Sequence, residues 1–415
     1  MGVSDLAARR AALKLIRRSL AESEPLSEAA LGDAAPQVRA EALRLARAVF
    51  RHLGHADLAV DALSQRPAKG PVRDILRLGA VEIKALGRAP HGVVDAAVRL
   101  AKSDRRAQGA AGMVNAVLRK LADGPGWEGA NPMAGVPKWL GQRLKADWGK
   151  PVARAIAAAH LAEPPLDLTT RPGAAAPEGE RTPSGSLRLA APGRVSALAG
   201  FEAGGWWAQD AAAALPARLA GQGEGRRALD LCAAPGGKTM QLAAMGWRVT
   251  ALDASEARLA VLKANLARTG LSAEVVAADA VAWDGPQFDL VLLDAPCSAT
   301  GTIRRHPELP WIRDGEAIAT LAETQARLLD AAWARVAPGG RLIYCVCSLA
   351  KAEGEERAEA FLAAHPNARR SPVAAEEIGE PDFIDERGDL RTRPDQWAEI
   401  GGVDGFFAAR FVRDA

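Results

Sequence analysis

Apolar residues recur at helical spacing through the first 125 positions. Leu13, Leu15, Ile16 and Leu20 form a stripe in a run from Leu6 to Leu20, and Val38, Leu43, Leu45 and Val49 form another between Gln37 and His52. Pro71 stands at a favourable first helical position. Two further helical runs extend from Val93 to Lys102 and from Ala110 to Leu121, and no useful strand alternation interrupts them. The pattern predicts an all-helical bundle over 1–125, closed by a Gly/Pro-rich linker from Asp123 to Pro132.

Beyond the linker the periodicity changes twice. Residues 137–220 predict a small α+β segment. It comprises a helix over Pro137–Ala159, a strand over Pro165–Thr170, an irregular Pro/Gly/Ala-rich stretch to Ser186, and short strands at Leu187–Leu189 and Arg194–Leu198. From about Arg226 strands and helices alternate, and 221–415 is expected to form one domain. Its strands are expected at Ala228–Leu231, Arg248–Leu252, Ala273–Ala277, Asp289–Leu293 and Arg341–Val346, with helices such as Glu256–Thr269 and Ala317–Val336 between them. Repeated βα units imply a parallel sheet covered on both faces, with ligands at the carboxyl ends of its strands.

Charge adds a second division. Residues 1–150 carry 25 Lys and Arg against 15 Asp and Glu, whereas the remainder is mildly acidic, so an anionic partner is expected at the front. Four cysteines in 415 residues make no disulfide framework and favour a reducing cytoplasm. No stretch is long and apolar enough to predict a membrane span or a secretory leader.

The candidate chemistry sits at the predicted strand ends. The loop Cys232-Ala233-Ala234-Pro235-Gly236-Gly237-Lys238-Thr239 follows the first rear strand, and its glycines let a ligand approach the backbone. Gly-Lys-Thr imitates a phosphate loop, but that motif needs a glycine where Cys232 stands. Asp253 ends the second strand at a spacing that suits a ribose contact, although it could simply cap the next helix. Asp279 could accept from a base amine or serve only in a turn.

Two cysteines, Cys297 in Asp294-Ala295-Pro296-Cys297-Ser298 and Cys347 in Cys345-Val346-Cys347-Ser348, follow apolar strands. A thiolate adding to carbon 6 of a pyrimidine turns carbon 5 into a nucleophile, splitting a hard alkylation into two easier steps. Asp294 could hydrogen-bond the ring and stabilise the charge that develops. Cys232 and Cys345 fit better as small buried hydrophobes. No CxxC pair supports a metal site. Arg304, Arg305 and His306 follow the Cys297 loop and could hold phosphates beside a flipped base.

These residues resemble the bacterial ribosomal RNA cytosine-5 methyltransferases of the RsmB/NOP2/Sun group. The resemblance rests on Gln209-Asp210, the Cys232–Thr239 loop, Asp294–Ser298, the run Thr300–Pro307, Cys347-Ser348 and Asp404-Gly405-Phe406-Phe407. The front helices resemble NusB, with Val114-Asn115-Ala116-Val117-Leu118-Arg119 closest to its signature. The resemblance implies a class I methyltransferase domain of Rossmann-like fold, S-adenosylmethionine as methyl donor, and a cytosine of small-subunit (16S) ribosomal RNA as target. It also implies Cys347 as nucleophile, Cys297 assisting product release, and cofactor contacts from residues 232–238, Asp253, Asp279 and Asp294. A monomer is the default expectation. The chain departs from the group's pattern at Cys345-Val346, where Ser-Thr is usual, at Ala299 and at Gly354. A helix usual after Thr170 has no room in Arg171–Pro183.

Overall fold

The apolar stripes of the front half close on one another as a helical unit. The computed structural model describes residues 3–171, 173–190 and 193–415; Met1, Gly2, Pro172, Ala191 and Pro192 lie outside them. The first helices are α1 (Val3–Glu22), α2 (Pro36–Arg51), α3 (Leu53–Leu63), α4 (Gly70–Lys84), α5 (Pro90–Ser103) and α6 (Ala111–Asp123). Prolines open α2, α4 and α5, where a missing N–H costs no hydrogen bond. Leu13, Ile16, Leu45, Val49, Ile75, Leu76 and Leu118 share one core. Gly79 lets α4 and α6 approach: a Cβ there would stand 2.7 Å from a Leu118 methyl. The pattern did not predict α3, because only His52 separates it from α2 and no turn residue marks the break.

This unit comprises Met1–Ala162 together with Ile303–Gly315. It therefore takes in α7 (Lys138–His160), which bends at Gly149 (φ 74°). The segment expected at 137–220 is thus divided between the two units. Residues 303–315 are fixed by backbone carbonyls: Arg51 donates to the Arg304 carbonyl at 2.6 Å, Trp139 to that of Pro310 at 2.9 Å, and Trp311 to that of Phe50 at 3.1 Å.

The second unit, Glu163–Thr302 and Glu316–Ala415, holds two sheets. The smaller is antiparallel, from β1 (Leu166–Thr170), β2 (Glu180–Arg181), β3 (Leu187–Leu189) and β4 (Trp206–Ala208) in the order β2-β3-β1-β4. No described residue between Thr170 and Glu180 is helical. The expected strand at Arg194–Leu198 is instead a 3-10 turn over Val195–Ala197. Val195 and Leu198 are three apart, and both pack on the cluster around Trp206, a spacing that suits a three-residue turn rather than a two-residue pleat.

The larger sheet follows α8 (Ala211–Arg218). Its strands are β5 (Arg227–Leu231), β6 (Arg248–Asp253), β7 (Glu274–Ala277), β8 (Phe288–Asp294), β9 (Val336–Val346), β10 (Ala368–Arg370), β11 (Leu390–Thr392) and β12 (Phe406–Arg413). Between them run α9 (Gly237–Ala244), α10 (Glu256–Thr269), α11 (Glu316–Ala334), α12 (Glu355–Ala364) and α13 (Ala375–Ile378). The order is β10-β12-β9-β8-β5-β6-β7, with β11 paired to β12. Strands β9, β8, β5, β6 and β7 are parallel neighbours, as the alternation predicted. Strand β12 returns antiparallel beside β9, and the βα pattern gave no sign of it. Buried Leu, Val and Ile fill both faces of the central strands, as a parallel sheet requires.

Candidate active site

The site forms where β8 and β9 end side by side, with Asp294 opposite Cys345. Past these ends the backbone is held by a close glycine contact. Gly301 donates to the Cys347 carbonyl at 3.0 Å and accepts from the Gly405 N–H at 2.9 Å. A Cβ on Gly301 would stand 1.9 Å from the Gly405 oxygen, so the Thr-Gly and Asp-Gly pairs noted in the sequence are a packing requirement of this crossing. Asp210 joins it from α8, capping Ala212 at 2.8 Å and accepting from the Asp404 N–H at 3.3 Å.

The result is a pair of partly exposed thiols. The Cys297 and Cys347 sulfurs lie 3.4 Å apart, well beyond the roughly 2.05 Å of a disulfide. Contact with Cys347 pushes the Cys297 thiol well up from its ordinary range, and burial and the Glu353 charge add to this. The Cys297 thiol thus favours its protonated form in contact with the Cys347 sulfur, and either sulfur can be the donor between them. Cys345, two residues earlier on the same face, is fully buried, as a small hydrophobe would be, yet its thiol donates to Asp294 Oδ1 at 3.5 Å. Burial and the Asp294 charge hold that thiol well up too.

Asp294 is anchored on its other side by Lys238, whose Nζ donates to Oδ2 at 2.8 Å. Burial opposes the charge on Lys238, but Asp294 outweighs it and the ammonium is held firmly protonated. A partly exposed carboxylate with one fixed cation and one fixed thiol thus stands beside the thiol pair.

The glycine loop lies at the carboxyl end of β5. Cys232 takes a left-handed backbone (φ 59°), and Gly236 (φ 104°) caps α9. Burial, then the charges of Asp294 and Asp253, pushes the Cys232 thiol to about 12, which rules it out as a nucleophile near neutrality. Asp253 ends β6 and accepts from the Ala234 N–H at 3.2 Å, from the Ser255 N–H at 3.0 Å and from Arg258 at 3.2 Å. Asp279 is exposed beyond β7 and accepts from the Val281 N–H at 2.9 Å. Asp230 lies beneath the loop, fully buried, with Thr239 donating to Oδ2 at 2.6 Å and no partner on Oδ1. Burial raises its carboxyl to about 7, and the nearby Asp294 charge adds to this.

The residues expected to hold phosphates fall in the other unit. Arg304, Arg305 and His306 belong to the helical unit. Arg304 is 1% exposed, so its guanidinium is not offered to a ligand there, whereas Arg305 is half-buried and His306 exposed.

Two further residues were given no role from the sequence, although Gln209 belongs to the motif that carries the resemblance. Gln209 bridges the small sheet to the glycine loop. It accepts from Thr169 and Trp207 at 2.8 Å and donates to Gln241 at 2.6 Å, beside Gly237. Glu353 is fully buried behind the cysteines and gathers Ser298, Ser348 and Gln325 around its carboxylate. The repeated Cys-Ser pair was the available signal for it.

Residues 217–412 match the family described as 16S rRNA methyltransferase RsmB/F, and residues 6–123 match the NusB family. A ribosomal RNA small subunit methyltransferase B from Pseudomonas syringae pv. tomato is 36% identical over 389 residues, covering 85% of this chain and 84% of its own. This chain belongs to the RsmB/F family. Another protein of that name, from Salmonella typhi, is 35% identical over 395 residues and 88% of each chain. The crystal structure of PH0851 superposes with a TM-score of 0.75 over 98% of each chain at 23% identity, a likeness of fold. The family is one of RNA methyltransferases, with a NusB-type helical domain ahead of the mixed methyltransferase sheet. No described helix is long and apolar enough to cross a membrane.

Proposed function

We propose that this RsmB/F protein methylates carbon 5 of a cytosine in small-subunit ribosomal RNA, using S-adenosylmethionine and a covalent cysteine adduct. The observation that carries this reading is the pair of thiols 3.4 Å apart beside the Lys238–Asp294 ion pair. A methyltransferase acting on oxygen or nitrogen gains nothing from two juxtaposed sulfurs; alkylating a pyrimidine carbon requires one to add and a second group to help it leave.

The residues present suit the donor. Asp253, Asp279 and Asp294 stand at or just beyond successive strand ends, giving acceptors for ribose hydroxyls and an amine and a negative setting for a sulfonium. The unpartnered Asp230 oxygen and the left-handed turn at Cys232 mark the loop 232–238 as a backbone cradle. When bound there, S-adenosylmethionine supplies a methyl group on a positively charged sulfur. Cys347 adds its thiolate to carbon 6 of the cytosine, and the displaced electron pair makes carbon 5 nucleophilic. Asp294, held by Lys238 and Cys345, hydrogen-bonds the ring nitrogen or exocyclic amine and stabilises the charge that develops. After methylation a water reaching this partly exposed site takes the carbon 5 proton, the C–H electron pair reforms the ring double bond, and the Cys347–carbon 6 bond breaks with its electron pair returning to sulfur as the thiolate. Cys297 assists this release from 3.4 Å.

The test is to incubate the protein with small-subunit ribosomal RNA lacking its cytosine methylations and isotopically labelled S-adenosylmethionine, then locate the label by mass spectrometry of the nucleosides. Label on carbon 5 of cytosine is the expected result. Label on any other atom overturns the reading.

A further inference from the structure

Each of the two paired cysteines is followed by a serine, and both serines point at one carboxylate. Ser298 Oγ donates to Glu353 Oε2 at 2.5 Å and Ser348 Oγ donates to the same oxygen at 2.6 Å. The Ser298 N–H reaches Oε1 at 2.8 Å and Gln325 Nε2 reaches it at 3.1 Å. Thr300 Oγ1 lies 3.2 Å from both serine hydroxyls and accepts from the Leu349 N–H at 2.9 Å. Glu353 is fully buried, and the groups that hold its carboxylate in the hydrogen bonds above are neutral donors. A buried carboxylate held by neutral donors is retained where its acceptor geometry does something that a packed hydrophobe cannot.

Four donors converge on two oxygens that can only accept, and they come from three places in the chain: the Cys297 loop, the turn after Cys347 and α11. The carboxylate thus fixes the residue after each cysteine. We propose that Glu353 is a positioning residue for methyl transfer, a buried latch that holds the Cys297 and Cys347 loops together through Ser298 and Ser348. Its charge has a second consequence: it adds to the sulfur contact and burial that push the Cys297 thiol up. The other titratable and charged groups around it are Tyr344, whose hydroxyl donates to the Glu353 backbone carbonyl, Arg357, and the Arg391–Glu355 pair at 2.6 Å. The inference rests on the proposed cysteine chemistry but concerns the placement and protonation of the sulfurs, which can be read without RNA.

The experiment compares wild type, Glu353→Gln and Ser348→Ala in the full chain. Two readouts are taken: the pH dependence of iodoacetamide alkylation at Cys297, followed by peptide mass spectrometry, and kcat and KM for methyl transfer to ribosomal RNA. Glu353→Gln removes the charge and turns one acceptor into a donor. It is expected to move Cys297 alkylation to lower pH and to lower kcat at least tenfold, with KM for S-adenosylmethionine within about twofold of wild type. Ser348→Ala removes one arm and keeps the charge. It is expected to lower kcat while leaving the Cys297 alkylation profile in place, and it carries the test if Glu353→Gln does not fold. An unchanged kcat in either folded variant overturns the latch. A shifted alkylation profile in Glu353→Gln, with wild type labelling an atom other than carbon 5, leaves the latch standing and rejects the cytosine-5 reading.

Discussion

The helical unit and the centre of the sheet unit treat buried charge in opposite ways. In the helices, charge meets charge: Arg9 and Glu82, both almost fully buried, pair at 2.7 Å, and Arg77 pairs with Asp57 at 2.7 Å. Beside the cysteines, Glu353 is held by hydroxyls and amides, and Asp230 has a single threonine hydroxyl. The contrast is confined to Glu353 and Asp230, because the sheet unit also neutralises carboxylates with cations: Lys238 pairs with Asp294 at 2.8 Å beside the cysteines, and Arg188 with Asp167 at 2.7 Å away from them. An ion pair between helices sets their register. A carboxylate left on neutral donors next to thiols shapes the protonation of its neighbours instead.

The largest expected effect tests whether the weakly neutralised cluster is the chemical centre. Cys347→Ala should lower methyl transfer by about four orders of magnitude or more, since nothing else supplies the adding sulfur, while thermal unfolding stays near that of wild type. Cys297→Ala should add but fail to release, accumulating a protein–RNA adduct visible as a slow band on a denaturing gel. An active Cys347→Ala with an inactive Cys297→Ala would reverse the two roles and break the comparison at its centre.

The opposite signature is expected from the helices. Glu82→Ala takes from Arg9 its buried partner, leaving it only Asp5 at 2.6 Å, and removes one contact of Arg88. Leaving a buried charge wholly alone costs about 3–5 kcal/mol, and the remaining Asp5 contact brings the expected loss to the lower part of that range or below it. The unfolding transition of the helical unit should shift accordingly, read by denaturant titration of the full chain. A change below about 1 kcal/mol would mean that Asp5 and water together satisfy Arg9 and that the two regions differ less than the burial indicates.

How much of this was legible beforehand follows the same division. The five parallel strands, the glycine loop and the two cysteines were readable because apolar runs, glycines and strand-end polar residues are local signals. Helix α3 was not, because His52 breaks the chain direction without a turn residue. Strand β12 was not, because an antiparallel return carries no βα punctuation. Glu353 was visible as a residue but not as a centre. Its role depends on Ser298, Ser348 and Gln325, distant in sequence, converging on one side chain. The burial of Arg304 was also hidden: the sequence placed it after the Cys297 loop, whereas folding assigns residues 303–315 to the helices.

Asp230 offers a pH test of the sheet side. Its folded carboxyl is raised from 3.8 to about 7, chiefly by burial, so the folded protein holds a proton there that the unfolded chain releases earlier. Stability from this group is therefore complete below about pH 4 and is lost as pH rises toward 7. The full difference is about 4 kcal/mol at 1.36 kcal/mol per unit. Asp230→Asn should remove that slope, so the stability of wild type relative to the variant should fall between pH 4 and 7. Parallel stability curves for the two proteins would show that water or a counter-charge satisfies Asp230 after all.

The smallest effect separates a buried arginine from its exposed neighbours. Arg304 is 1% exposed and its own carbonyl accepts from Arg51, so Arg304→Ala should act on folding: a lower melting temperature, with RNA affinity changed only as far as the unit unfolds. Arg305 is only half-buried and the His306 side chain is 50% exposed, so the phosphate contact expected of this run is proposed for them rather than for Arg304. Arg305→Ala should weaken ribosomal RNA binding several-fold, reduce the dependence of log affinity on log salt by about one, and leave the melting temperature in place. Equilibrium binding at three salt concentrations, set beside melting curves of both variants, distinguishes the cases. A reduced salt slope for Arg304→Ala at unchanged stability would move the phosphate contact onto Arg304 and require its side chain to leave the core when RNA binds.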